Sequence, residues 1–266
     1  MGPWRLIERR GKGGNGQVWE VENTADGSRA ALKVLHRQSP DKYERFKREV
    51  RTLRDLAGFG GVLPLLDSHV PDKADPADEA WYVMPLAKPI AESLREASLP
   101  TVVAAIAEIA VTLERLVSEG IHHRDIKPSN LYEYEGRFVV GDFGIVKRDE
   151  FEDEPLTQEG VYIGPAYFLP SEAFLYPDDC TPEAVDVYCL AMTLWVLATG
   201  HRYPPRSPII EGDFYALTRR LSTPPSGTAE LDAILAGATS TDPDLRPRLS
   251  AFVDQLQRWR SEVAVP

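Results

Sequence analysis

Eight consecutive residues, His123-Arg124-Asp125-Ile126-Lys127-Pro128-Ser129-Asn130, pack two side chains of catalytic type together with two cations. Asp142-Phe143-Gly144 follows a short distance on. A lone Asp-Phe-Gly arises often by chance, but the eight-residue run at this distance from it is specific. Upstream, Gly11-Lys12-Gly13-Gly14-Asn15-Gly16-Gln17-Val18 is a glycine run that lets a backbone turn approach phosphate oxygens and offer N–H donors. Alone it reads equally well as a flexible hairpin. A strand-like run from Gln17 to Val21 follows the glycines where a dinucleotide fingerprint has a helix, which disfavours that reading. Ala30-Ala31-Leu32-Lys33 ends an apolar run on a lysine, and an ammonium buried alone is costly, so Lys33 needs an anionic partner. Glu49 on the next helical segment can supply one, leaving the ammonium free to reach α- and β-phosphates; without the other motifs, both would read as solvated charges.

The elements that must position these residues fall into two groups. Short β-like runs occupy residues 4–10, 17–23, 29–35, 62–68 and 81–85. A polar helix interrupts them at about 41–57, with Tyr43, Phe46, Val50 and Leu53 spaced for one buried face. Pro71 to Glu79 has loop chemistry. After about residue 90 helical periodicity takes over: 100–119 places Val103, Ile106, Ala110, Leu113 and Val117 on one stripe, and Gly120 stops it. A small strand pair follows at 131–134 and 137–141, turned by Glu135-Gly136. An irregular stretch at 144–170 precedes helices at roughly 183–199, 211–221, 229–238 and 248–261. This is an α+β layout of two lobes, β-rich over 1–86 and helical over 87–266, with a ligand cleft expected at the junction.

Composition narrows the function classes. At 266 residues the chain buries a core without staples, and its 27% charged and 43% apolar residues are those of an ordinary soluble protein. A net charge of −11 argues against nucleic-acid partners, whose phosphates an acidic surface repels. Cys180 and Cys189 form neither a disulfide framework nor a metal pattern, which fits a reducing cytoplasm. No signal peptide follows Met1, and neither apolar stretch reads as a membrane span. Residues 101–117 carry Glu108, Glu114 and Arg115, while 185–199 reads as too short.

The motif set, in this order, resembles the eukaryotic-type (Hanks-type) protein kinase family over about residues 4–260. Lys127 before Asn130 resembles the Ser/Thr branch, and the compact lobes resemble bacterial members. The resemblance implies a bilobal protein-kinase fold that moves the γ-phosphoryl group of ATP onto Ser/Thr hydroxyls of protein substrates. It implies that Gly11, Gly13 and Gly16 cover the phosphates, Lys33 contacts them and Glu49 orients Lys33. Asp125 would take or orient the hydroxyl proton, Lys127 would steady the γ-phosphate, and Asn130 and Asp142 would hold Mg²⁺ or Mn²⁺. For adenine it implies a roof of Val18 and Ala31, a gatekeeper at Met84 and hinge hydrogen bonds near Leu86. The floor falls on Tyr132, where the family more often has Leu: either a larger stacking floor or a one-residue offset. Leu53, Leu65, His123 and Phe143 match the family's stacked spine. Asp186 matches the acid that ties the backbone around His123, and Arg246 the arginine that pairs with the acid ending the activation segment.

The chain departs from the pattern at that segment's end, where Gly164 replaces a usual Thr and the acid comes one position late, at Glu172. Arg124 suggests control by phosphorylation, with Thr157 the best-placed acceptor and Tyr162 second. The acids at 149, 150 and 152–154 either stand in for a phosphate or form a solvated loop. A transient homodimer for trans-autophosphorylation is the expected self-contact. A pseudokinase is disfavoured because Lys33, Asp125 and Asp142 are all present, and nucleotide binding without transfer would mark one. A small-molecule kinase is disfavoured by Arg124, Lys127 and the long segment 144–172.

Overall fold

The structure, a computed structural model, describes residues 1–13, 16–35, 39–75, 77–144, 147–148, 167–175, 180–210 and 212–263. Its first part is an antiparallel sheet of β1 (Trp4–Gly13), β2 (Gly16–Asn23), β3 (Arg29–Val34), β4 (Asp67–His69) and β5 (Trp81–Pro85), ordered β1-β2-β3-β5-β4. Apolar residues on alternating positions drive one face inward: Trp4, Val21, Ala30, Leu32, Val34, Trp81 and Val83 form one cluster. Helix α1 (Pro40–Asp55) packs beside the sheet. Pro40 suits its first turn, where a missing N–H costs nothing. Tyr43, Phe46, Val50 and Leu53 make the buried stripe, and Glu49 lies buried on the same face.

The second part is helical. After β6 (Lys88–Pro89) and the one-turn α2 (Ile90–Ser93) comes α3 (Leu99–Ser118), whose N-cap Ser98 accepts from Thr101 N. Then follow β7 (Ile121–His122), the hairpin β8 (Leu131–Tyr134) and β9 (Arg137–Val140), and β10 (Lys147–Arg148) paired with β7. Helices α4 (Glu172–Leu175), α5 (Pro182–Thr199), α6 (Leu217–Arg220), α7 (Thr228–Ala238) and α8 (Leu249–Val263) complete it. Helix α5 starts on Pro182 and stops on left-handed Gly200 (φ +69°), and every residue from Ala184 to Val196 is buried.

Three expectations from the sequence change. The run 62–68 is a strand only from Asp67, because Pro64 has no N–H to donate and the chain before it bonds elsewhere. Leu63 N donates to Val140 O (2.9 Å) and Val140 N to Gly61 O (2.8 Å), so this segment clasps β9 of the helical part. The helix at 211–221 shrinks to Leu217–Arg220, since Gly212 turns left-handed (φ +69°) and Asp232 caps Leu217 N (2.6 Å) and Thr218 N (3.1 Å). The stretch expected to be too short for a bilayer is an 18-residue helix of sufficient length, but 72% of it is buried within the fold, so its apolar surface is already covered.

Gly61 sits at φ +94°, and a Cβ there would stand 2.1 Å from Thr112 Oγ1 on α3. Gly61→Ala should therefore strain the clasp between the two parts. Expected is a loss of about 2 kcal/mol, a drop of roughly 5 °C in Tm by thermal unfolding.

Candidate active site

The site assembles where the sheet meets the helical part. Lys33 ends the inward side of β3 and is 6% exposed; Glu49 on α1 is 2% exposed. Lys33 Nζ donates to Glu49 Oε1 at 2.8 Å, Glu49 Oε2 at 3.1 Å and Asp142 Oδ1 at 3.2 Å. Burial works to lower the Lys33 pKa, yet Asp142 and Glu49 more than offset it and hold the ammonium well above its ordinary value. Burial pushes Glu49 up to about 7 against the pull of Lys33. The phenol of Tyr82 on β5 donates to Glu49 Oε1 at 2.6 Å.

Asp186, in the first turns of α5, is fully buried and accepts from His123 N (2.9 Å) and Arg124 N (2.7 Å). Those bonds hold Arg124 in the left-handed region (φ +62°), where a side chain is strained. The turn delivers Asp125 to the cleft. His123 Nδ1 accepts from Asp125 N (3.2 Å), so Nε2 carries the hydrogen it gives to Gly141 O (3.1 Å). The ring is neutral, as burial requires by depressing its pKa to about 4. His123 also meets Phe143 edge-on at 4.9 Å.

Asp125 is held from two sides. Lys127 Nζ donates to both carboxylate oxygens (2.9 and 2.7 Å). Asn130 Nδ2 donates to Asp125 O (2.8 Å) and Oδ2 (2.9 Å). Burial raises the Asp125 pKa against Lys127, whereas for Asp142 the lysines at 33 and 127 outweigh burial and hold the carboxyl below its usual range. Asp142 is itself left-handed (φ +58°). Two lysines thus face three carboxylates across one cleft.

Among the described residues Asn130 Oδ1 accepts only a long bond from Ser129 Oγ (3.4 Å), which leaves it a lone pair, and Asp142 and Asp125 offer carboxylate oxygens in the same cleft. These are hard oxygen donors of the kind Mg²⁺ takes. Among the described residues no group of three or more His, Cys, Asp and Glu forms a cage. Mg²⁺ is commonly held by one or two carboxylates completed by phosphate oxygens and water, so the residues fit the ion.

Around this centre, β1 and β2 pair Gly11 with Val18 and Gly13 with Gly16. A Cβ at Gly16 would lie 2.4 Å from Val34 O, so only glycine lets β2 pass β3 this closely. Val18 pairs with Lys33, and Ala31 with Met84, bringing the expected roof and gatekeeper onto adjoining strands. Leu86 lies beyond β5 and is exposed. Leu131 is fully buried, while the half-buried Tyr132 lays its ring against Gly141 and donates to Ser129 O (3.0 Å). Leu53 and Phe143 lie in one core cluster, with Leu65 packed against it. Thr157, Tyr162, Gly164 and the acids at 149–154 lie outside the described residues. The late acid does find its partner: Arg246 Nη1 bonds Glu172 Oε1 (2.5 Å) and Ala184 O (3.2 Å). Sequence reasoning gave Tyr82 no role; its signal lies in the strand register that places it opposite Lys33.

Residues 4–255 match the family model described as "protein kinase domain". The chain is 29% identical to the serine/threonine-protein kinase Pkn1 of Myxococcus xanthus over 96% of this chain and 38% of that protein. It is 31% identical to the probable serine/threonine-protein kinase PkwA of Thermomonospora curvata, over 96% of this chain and 34% of that protein. It is 35% identical to the DNA damage-responsive serine/threonine-protein kinase RqkA of Deinococcus radiodurans, over 80% and 31%. The chain thus spans about a third of the length of these curated relatives (38%, 34% and 31%).

Asp186→Ala would leave two buried backbone N–H groups without an acceptor. Expected is a loss of about 3 kcal/mol, read as a Tm lower by roughly 6–10 °C.

Proposed function

The chain belongs to the protein kinase family, and on that premise we propose that it transfers the γ-phosphoryl group of ATP to Ser or Thr hydroxyls of protein substrates. The observation that carries this reading is the meeting of Lys33–Glu49–Asp142 with Asp125–Lys127–Asn130 in one cleft. Lys33 takes the α- and β-phosphates, with Glu49 fixing its direction. The turn at Gly11, Gly13 and Gly16 lies over the phosphates, and the purine sits between Val18 and Ala31 above and Tyr132 below. Met84 lines the back of that pocket, and the backbone near Leu86 bonds the purine edge.

Asn130 and Asp142 are the residues that would hold Mg²⁺ or Mn²⁺, which when bound neutralises charge on the phosphate oxygens. In the present arrangement Lys127 occupies both oxygens of Asp125. As the γ-phosphate arrives, Lys127 turns to it and frees an Asp125 oxygen. That oxygen accepts the proton of the Ser or Thr hydroxyl as its O–P bond forms and the bond to the ADP leaving oxygen breaks. Asn130 stays on the Asp125 carbonyl and keeps the carboxylate aimed.

The same reading extends to control and organisation. Thr157, and secondarily Tyr162, are the proposed phosphoacceptors in the activation segment, reached in trans through a transient homodimer, with Arg124 as the phosphate's partner. The lobes divide at 86/87, and the chain works in the cytoplasm on protein partners, apart from nucleic acid and membrane.

Transfer of γ-labelled phosphate from Mg·ATP to a protein acceptor, with phosphosite mapping, tests this. Wild type should label Ser or Thr, with Thr157 among the sites, and Asp125→Asn should lose about 10³-fold in kcat while still binding ATP. No labelling by a wild-type protein that binds ATP would overturn the reading.

A further inference from the structure

The Lys33–Glu49 pair has a third member. Tyr82 stands opposite Lys33 in the β3–β5 register, with its ring 5.4 Å from Lys33 Nζ and 5.4 Å from the ring of Phe46 on α1. The side chain is 1% exposed, and its hydroxyl lies 2.6 Å from Glu49 Oε1. Glu49 Oε1 therefore accepts from two directions, the ammonium at 2.8 Å and the phenol at 2.6 Å.

This matters because an ammonium has three hydrogens. Here they point at Glu49 Oε1, Glu49 Oε2 and Asp142 Oδ1. Any phosphate oxygen that Lys33 engages must draw on that set. A buried carboxylate that loses a donor pays the full desolvation penalty. The groups facing Glu49 are Lys33 from β3, Tyr82 from β5 and Asp142 beyond β9, so Tyr82 is the neutral donor among them. Burial and Glu49 push the phenol pKa well above its ordinary value, so it keeps its hydrogen.

We propose that Tyr82 is a positioning residue for the phosphoryl transfer set out above: its hydroxyl holds Glu49 Oε1, keeping α1 docked and Lys33 aimed while the ammonium's hydrogens pass to nucleotide phosphates. The inference rests on the kinase reading for its role in turnover, but the hydrogen bond can be tested through nucleotide affinity alone.

Tyr82→Phe keeps the ring and its contact with Phe46 and removes only the O–H. In the active wild-type chain it should lower kcat/KM for ATP about tenfold, with KM for the protein acceptor unchanged. Glu49→Ala, which removes the acceptor, should cost more, and Tyr82→Phe should add nothing in the Glu49→Ala background. A 3-fluorotyrosine at position 82 retains the donor and should restore the rate. The proposal is overturned if Tyr82→Phe matches wild type, or if its loss multiplies undiminished with that of Glu49→Ala, as a packing role would. If wild type transfers no phosphate, the kinase reading fails first. The same four-variant cycle, read as displacement of a fluorescent ATP analogue, then decides on Tyr82: non-additive losses support it and additive or absent losses overturn it.

Discussion

The carboxylate of Asp186, pinned under the backbone of His123 and Arg124, is the interaction from which the rest of the site follows. Arg124 takes a left-handed conformation that costs of order 1–3 kcal/mol, and it persists only because something stronger holds both neighbouring N–H groups. Burial pushes Asp186 up to about 7, so its two backbone bonds act against a large desolvation cost. Helix α5 can carry such a residue because it is buried nearly along its whole length. One turn further, Cys189 Sγ donates to Phe168 O (3.3 Å), and at the helix start Ala184 O takes Arg246, which also grips Glu172. One buried helix therefore sets both the turn that presents Asp125 and the chain around Phe168 and Glu172.

The opposite wall of the cleft depends on the sheet. Lys33 belongs to β3, Glu49 to α1 and Asp142 to the chain after β9, so their contact joins three separate elements. The clasp of residues 61–63 on Val140 holds the sheet against the helical part beside this contact. β9 leads directly into Gly141 and Asp142, so the clasp fixes the chain two residues before the one proposed to hold the metal. The site is thus built from charges of opposite sign kept close by backbone constraints, with little freedom left to the side chains.

The parts legible in the sequence were those written locally. His123 to Asn130 and Asp142 to Gly144 are contiguous, and the spacing in α1 puts Glu49 on the face of Phe46 and Val50. Tyr82 was illegible because its role depends on which strand pairs with β3 and in what register. The run 62–68 was misread because Leu63 and Gly61 bond across to Val140, a partner almost eighty residues away. Helices α2 and α4 are single turns, too short for periodicity to register. Arg246 finds Glu172 despite the extra residue before it, since its long, buried side chain spans to the displaced carboxylate.

The central claim is that Asp142 and Asn130, held where Asp186 and Lys33 place their surroundings, form half of a metal site that a nucleotide completes. Electron paramagnetic resonance of Mn²⁺ titrated into the protein tests it most directly. The account predicts weak Mn²⁺ binding to the protein alone, tight binding once a non-hydrolysable ATP analogue is added, and loss of that tight site in Asp142→Asn. Mn²⁺ binding that ignores the nucleotide, or that survives Asp142→Asn unchanged, would contradict it.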